Sequence, residues 1–403
     1  MRKIKSIKTQ KSIKTQKSRK TQKSRRRQRG GNGALFEAIK GGDVKRVELL
    51  LADPIIDVNQ PDKYNSPLLY AILYNNIKIV NLLLAAPGIK VNQTNDLSQT
   101  PLYAAADYGD PVVVEALLAA RGIKVNQTTT VDGKTPLYIA AVNGHHAVVK
   151  ALLSAQGIKV NKATTVDGQT PLYAAVSNGR REVVQALLAA PGINVNQPNH
   201  LGQTPLLCAT LYNNIEVVHL LLAAHGINVN QATSLDSETP LYVAVANGHH
   251  AVVEALLADP RIHVNQSNHL RQTPLYAAAY HGDPAVVEAL LADPRIDANQ
   301  PDKYDRTPLY IAAVNENNKV VEVLLEYFKK NKTIPLAKTI EDIKKVLKNE
   351  SVLEENEIIR SLLEREKANL EEEQTRRTVY LLGNSALSSR LLGEIMSHMP
   401  KRK

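Results

Sequence analysis

The sequence predicts an all-α solenoid of about nine helix-loop-helix units, and three observations predict it. Prolines recur at Pro67, Pro101, Pro136, Pro171, Pro205, Pro240, Pro274 and Pro308, spaced 34 or 35 residues apart. The residue four positions after each is always Ala, positions twelve and thirteen are Val-Val or Ile-Val, and positions sixteen and seventeen are Leu-Leu. From each proline to the Asn of the Val-Asn-Gln phrase the count is 25 in all seven complete units, while the stretch from that Asn to the next proline varies from 8 to 10. A segment that cannot change length, joined by one that can, is the mark of a unit stacked on both its neighbours with a loop that projects from the stack.

Each element of the unit has a local cause. Thr precedes the proline and can cap the helix, while Pro at the first turn loses nothing by lacking an N–H. The small Ala lets a neighbouring helix come close. Glycines such as Gly109, Gly144, Gly179, Gly248 and Gly282 end the first helix in a left-handed turn. The second helix places Val-Val and Leu-Leu on one face, and Pro87-Gly88 or Pro191-Gly192 stops it. A unit beginning at Ala34 fits the same frame without its proline. This repeat array spans 34–328.

The flanking segments differ in kind. Residues 1–30 hold 14 Lys and Arg and no acidic residue, in six-residue phrases such as Lys5-Ser6-Ile7-Lys8-Thr9-Gln10. A period of six builds no helical or strand face, so residues 1–33 are expected to be a disordered basic tail hinged at Gly30-Gly31-Asn32-Gly33. The rest of the chain carries 36 basic and 39 acidic residues, so the net charge of +11 belongs to the tail. Residues 329–403 are expected to form a helical extension: Ala337 to Asn349, then an acidic helix capped by Ser351 and Glu354 and running to about Thr378. Gly383-Asn384 would break it before a short apolar helix from Ala386 to Met399.

Composition narrows the function classes. With 43% apolar residues, no Trp and two Phe, the core must be aliphatic. No run is long and apolar enough for a membrane span, and the basic N-terminus lacks the apolar stretch of a secretory signal. The single cysteine, Cys208, fits a reducing compartment and a structural role. Sequons at Asn92, Asn126 and Asn265 follow from the Val-Asn-Gln phrase and carry no glycosylation signal of their own. His145-His146 and His249-His250 are adjacent pairs without recurring Cys or acidic partners, which suits metal chelation poorly. No phosphate-cradling loop, nucleophile elbow or carboxylate pair appears. Asp132, Asp167 and Asp236 suit turns. No enzyme activity, cofactor or metal is expected.

The recurring Thr-Pro-Leu-x-x-Ala-Ala, Gly144-His145 and Gly248-His249, Val-Val, Leu-Leu and Val-Asn resemble the ankyrin-repeat family over about residues 34–328. Two features depart from it: Tyr103, Tyr138, Tyr173, Tyr242, Tyr276 and Tyr310 stand where the family has His, and the segment before Val-Asn-Gln is longer. The resemblance implies a scaffold that binds a partner protein through its concave face and loop tips. The family's usual contacts lie six and seven residues past the proline; the seventh position is here Tyr74, Tyr108, Asn143, Asn178, Tyr212, Asn247, His281 and Asn315, an alternation of aromatic and amide suited to interfaces. Loop residues Lys63, Tyr64, His200, His269, Arg271, Lys303 and Tyr304 can join that surface.

Two further functions are open. The chain could be an adaptor or secreted effector, with residues 329–403 recruiting machinery or directing export; Glu371-Glu372-Glu373 followed by an apolar-basic stretch is similar to bacterial export signals. The tail could instead bind nucleic acid or another acidic surface through phosphate-type contacts, without sequence preference. Arg25, Arg26, Arg27 and Arg29 equally suit a nuclear localisation signal. A monomer acting inside a cell, in cytoplasm or nucleus, is expected, or inside a host cell if it is an effector.

Overall fold

The computed structural model describes residues 32–331, 341, 344–346, 348 and 357–383, which hold helices and turns and no strand. The chain divides into two units, one ending at His200 and the other beginning at Leu201.

The first unit holds five helix pairs. They are α1 (32–40) with α2 (Val44–Leu51), α3 (Pro67–Leu73) with α4 (Ile77–Ala85), α5 (Pro101–Tyr108) with α6 (Pro111–Leu118), α7 (Pro136–Asn143) with α8 (His146–Leu153), and α9 (Pro171–Ser177) with α10 (Arg181–Leu188). First helices pack on first helices from α3 to α9, and second helices on second helices from α2 to α10. The second unit repeats the plan with α11 (Pro205–Leu211) and α12 (Ile215–Leu222), α13 (Pro240–Ala246) and α14 (His250–Leu257), α15 (Pro274–His281) and α16 (Pro284–Leu291), and α17 (Pro308–Val314) and α18 (Asn318–Lys330). The last helix among the described residues, α19 (Glu357–Gly383), packs on α18.

The helix starts have the predicted cause. In α5 the Thr100 hydroxyl oxygen accepts the Tyr103 N–H at 3.1 Å, and in α11 Thr204 does the same for Leu207 at 3.2 Å. The helix ends follow too: Gly109 and Gly144 sit at φ +82° and +81°. Where Gly is missing, Asn75 and Asn213, of a residue type suited to it, take the left-handed position at φ 50° and 53°, and in the last repeat Glu316 takes it at φ 57°. The core is aliphatic, as composition requires: Leu102, Ala105, Val113, Val114 and Leu117 of one repeat are all buried.

The constant 25-residue segment has a structural reason. Its Asn carboxamide grips the backbone of the next repeat with both ends. Asn126 Nδ2 donates to the Gly157 carbonyl at 2.8 Å while its Oδ1 accepts the Lys159 N–H at 2.8 Å. Asn59, Asn92 and Asn161 do the same in the first unit, and Asn230 and Asn265 in the second. Shifting this Asn by one residue would break two bonds. At Asn92, Asn126 and Asn265 the nitrogen that glycosylation would modify is already committed to this ladder.

The C-terminal region departs from expectation in length. Residues 341 and 344–346 are helical within the expected 337–349 segment. The following helix does not stop near Thr378 but runs to Gly383, because no helix breaker intervenes before the Gly383-Asn384 pair. Its Ile359, Leu363 and Leu370 are buried. The Ser351/Glu354 cap, the Ala386–Met399 segment and residues 1–31 of the basic tail, with Arg25, Arg26, Arg27 and Arg29, lie outside the described residues. Asn32 and Gly33, expected in the hinge, instead open α1, where the buried Asn32 carboxamide bonds the Asp57 backbone at 3.3 Å.

Candidate functional site

Two classes of tyrosine divide the repeat surface. Those two residues after the proline are packed inside: Tyr103, Tyr138, Tyr173, Tyr242 and Tyr276 are buried. Burial, reinforced by nearby Asp107, pushes the Tyr103 hydroxyl up to about 12, and burial with Glu238 does the same for Tyr242. Several of these hydroxyls serve cross-repeat bonds, as Tyr138 does in donating to Gln169 Oε1 at 2.9 Å. The family's His is thus replaced by a larger aromatic that still bridges neighbours.

The tyrosines seven residues after the proline are the opposite. Tyr74, Tyr108 and Tyr212 are 51%, 57% and 63% exposed. Each sits at the C-terminal end of a first helix, where the invariant Ala three residues earlier packs inward. Tyr74 leans on Tyr70 at 6.2 Å between ring centroids. Such a ring offers a large apolar face and a hydroxyl at little entropic cost.

The polar residues at the same position are tied differently. Asn143 Nδ2 donates to the Asp107 carboxylate at 2.8 Å and to its carbonyl at 3.1 Å, one repeat away. Asn178 and Asn247 each donate to a carbonyl of their own helix, Ala174 and Val243, at 2.8 Å. His281 is exposed and meets Tyr280 edge-on at 5.1 Å. Asn315 reaches the Tyr280 carbonyl at 3.3 Å. The donors of these amides are largely spoken for, and their carbonyl oxygens are what they can offer a partner.

The loops supply a second set. Tyr64 and Tyr304 are exposed, each with its neighbouring lysine, Lys63 or Lys303, 4.9 Å above the ring. An aspartate braces both loops. Asp302 accepts the N–H groups of Tyr304 and Arg306 at 2.9 and 3.0 Å and is clasped by the Arg306 guanidinium at 2.6 and 2.9 Å. Burial opposes ionisation of Asp302, but the Arg306 contacts outweigh it and hold the carboxyl below its ordinary value. Asp62 plays this part in the first loop, accepting from Tyr64, Asn65 and the Tyr70 hydroxyl.

Sequence reasoning overlooked the apolar loop tips. Leu97, Val131 and Val166 in the first unit, and Leu201 and Leu235 in the second, are exposed, Val131 by 79%. The signal was available: each lies four or five residues before the repeat proline, among polar turn formers. Neighbouring tips are joined by backbone bonds, Thr165 N–H to the Asp132 carbonyl and His200 N–H to Asp167, both at 2.9 Å. Asp132, Asp167 and, in the second unit, Asp236 each offer a backbone carbonyl to the next loop, and the Asp132 carboxylate also accepts the Thr129 hydroxyl at 2.5 Å and meets Lys134 at 2.9 Å.

The histidine pairs are built into the repeats. His145 Nε2 lies 2.9 Å from the Asp107 carbonyl oxygen, and His249 Nδ1 lies 2.9 Å from that of Thr210. His250 pairs with Asp283 at 2.9 Å. Among the described residues no three His, Cys, Asp or Glu side chains gather to hold a metal ion, and no helix is long and apolar enough to cross a membrane.

The family described as "Ankyrin repeats (3 copies)" matches residues 9–95, 102–199, 191–268 and 241–334. The chain belongs to the ankyrin-repeat family. Ankyrin repeats are generally protein–protein interaction modules and typically non-enzymatic scaffolds. Among solved structures, the ankyrin repeat domain of Bcl-3, titled a unique member of the IkappaB protein family, is similar at 24% identity over 56% of this chain and 98% of that one, with a TM-score of 0.51. That likeness concerns the fold. The human ASB11 ankyrin repeat domain matches at 29% identity over 57% of this chain and 98% of that one, at a TM-score of 0.46. No curated protein matches the sequence.

Proposed function

We propose that this ankyrin-repeat chain is a non-catalytic scaffold that works inside a cell by binding a partner protein through its exposed first-helix ends and loop tips. The observation that carries this reading is the exposure of Tyr74 and Tyr108, which occupy equivalent positions of consecutive repeats in the first unit. Tyrosines left half exposed at the ends of packed helices add little to the core, whereas at an interface they are typical anchors. The apolar tips Leu97, Val131 and Val166 of the same unit extend the area available. In the second unit Tyr212, Asn247, His281 and Tyr304 provide the same chemistry.

Site-directed photo-crosslinking tests this reading. A benzophenone side chain replacing Tyr74 or Tyr108 in the full-length chain should trap a protein in cells. The same group at Lys78, exposed on the second helix α4, should not. Equal trapping from both faces, or none from the tyrosines, would contradict the assignment.

A further inference from the structure

The second unit carries a groove of about 500 Å³ between α16 and α18. Leu291, Val323 and Tyr327 contribute its apolar walls, and Glu288, Glu322, Glu326 and Lys330 stand around it, with Glu326 paired to Lys330 at 3.1 Å and Glu322 to Lys319 at 3.9 Å. It exists because α18 breaks the repeat pattern. Helix α16 has 8 residues and ends at Leu291, but α18 has 13 and continues through Tyr327 to Lys330. No Pro-Gly or Asp-Pro stop follows its Leu-Leu, and burial of Phe328 rewards the extension. The last turns therefore project past the end of α16, leaving Ala292 exposed at the groove. On the other side of the Glu322–Glu326 ridge, Leu362 and Asn369 of α19 meet Leu325 and Lys329.

We propose that residues 384–403 of this same chain dock in the groove as an amphipathic helix. Three observations select this occupant. Its apolar residues, Leu387, Leu391, Leu392, Ile395, Met396 and Met399, follow the i, i+4, i+5, i+8 spacing of one helical face. Its charge is complementary: Arg390, Lys401, Arg402 and Lys403 stand against a single Glu394, while the groove rim holds three carboxylates against Lys330 alone and Glu288 has no ion pair among the described residues. Its length also fits. Gly383 lies about 21 Å along α19 from Asn369, and a helix over 386–399 is about 21 Å long at 1.5 Å per residue. A reversal at Gly383-Asn384 returns that helix to the level where α19 meets α18. The basic N-terminal tail is a poorer occupant, because Ile4, Ile7 and Ile13 are its only large apolar residues and form no stripe. Docking would cover the apolar walls that the overrun of α18 leaves beside α16. It is independent of the partner-binding reading, since it uses second helices.

Thiol labelling tests the proposal in the full-length chain. An Ala292→Cys variant places a reactive group at the groove, and the native Cys208 is buried and silent. Maleimide should label it at least ~tenfold more slowly than the same variant carrying Leu391→Asp, Leu392→Asp and Ile395→Asp, the protection expected when docking is favoured by about 1.4 kcal/mol. Glu288→Lys with Glu322→Lys should also speed labelling. Equal rates with and without the aspartates would show an open groove and overturn the proposal. Protection that disappears on dilution would overturn it too, because the occupant would then come from a second copy.

Discussion

The imidazole of His145 covers Gly109 of the preceding repeat so closely that a Cβ on that glycine would meet the ring at 2.5 Å. Through its Nε2 the same ring reaches the Asp107 carbonyl oxygen at 2.9 Å, so the residue capping the start of one second helix closes the first helix of its neighbour. Arg180 does this over Gly144, where a Cβ would lie 2.8 Å from its side chain and where its Nε donates to the Val142 carbonyl at 3.0 Å. Gly109→Ala should therefore destabilise twice, by about 1–2 kcal/mol for a left-handed alanine and further for displacing His145. In a His145→Ala background only the first penalty should remain. Urea denaturation of the four chains measures the coupling, and strictly additive effects would show that the ring yields freely.

The carboxamide ladder predicts a cost at Asn126. Asn126→Ala removes bonds to the Gly157 carbonyl and the Lys159 N–H, and should cost about 1–3 kcal/mol. Asn126→Asp keeps the acceptor but turns a carboxylate oxygen toward the Gly157 carbonyl, so it should not rescue the loss. A urea midpoint unchanged in both variants would mean the ladder follows the stacking without supporting it.

Asp302 gives a pH dependence with a definite sign. Burial disfavours its charged form, yet the Arg306 contacts lower its folded pKa below the ordinary carboxylate value. A carboxylate depressed in the folded state contributes stability above its unfolded pKa of about 3.9 and loses it as pH falls through the folded value. Asp302→Asn should cost about 1–3 kcal/mol at pH 7, and the gap to the native chain should close as pH drops below about 4. A gap that persists into stronger acid would place the effect in packing and not in charge.

Much of this architecture was legible in the sequence because its causes are local. Thr100 and Pro101 announce a helix start, Gly109 a left-handed end, and the fixed count to Asn126 records a bond that must reach the next repeat in register. What could not be read depends on where side chains settle. Asn143, Asn178 and Asn247 occupy one position in the frame, but the first bonds across to Asp107 and the others fold back on their own helices. That choice turns on whether an aspartate stands one repeat earlier. The overrun of α18 past the usual stop was hidden for a similar reason, since it rests on burial of Phe328. The exposed tips at Leu97 and Val131 were visible as apolar residues in polar loops, but exposure is a property of the folded chain.

The central claim, that the outward tyrosines are binding residues, is tested most directly by two measurements on one variant. Tyr74→Ala with Tyr108→Ala in the full-length chain should be carried through quantitative affinity capture from cells and through urea denaturation. Captured partner should fall by the equivalent of at least ~1–2 kcal/mol, while stability changes by less than about 0.5 kcal/mol, as expected for exposed positions. A stability loss above about 2 kcal/mol with capture intact would contradict the account, making these tyrosines packing residues and placing the partner elsewhere.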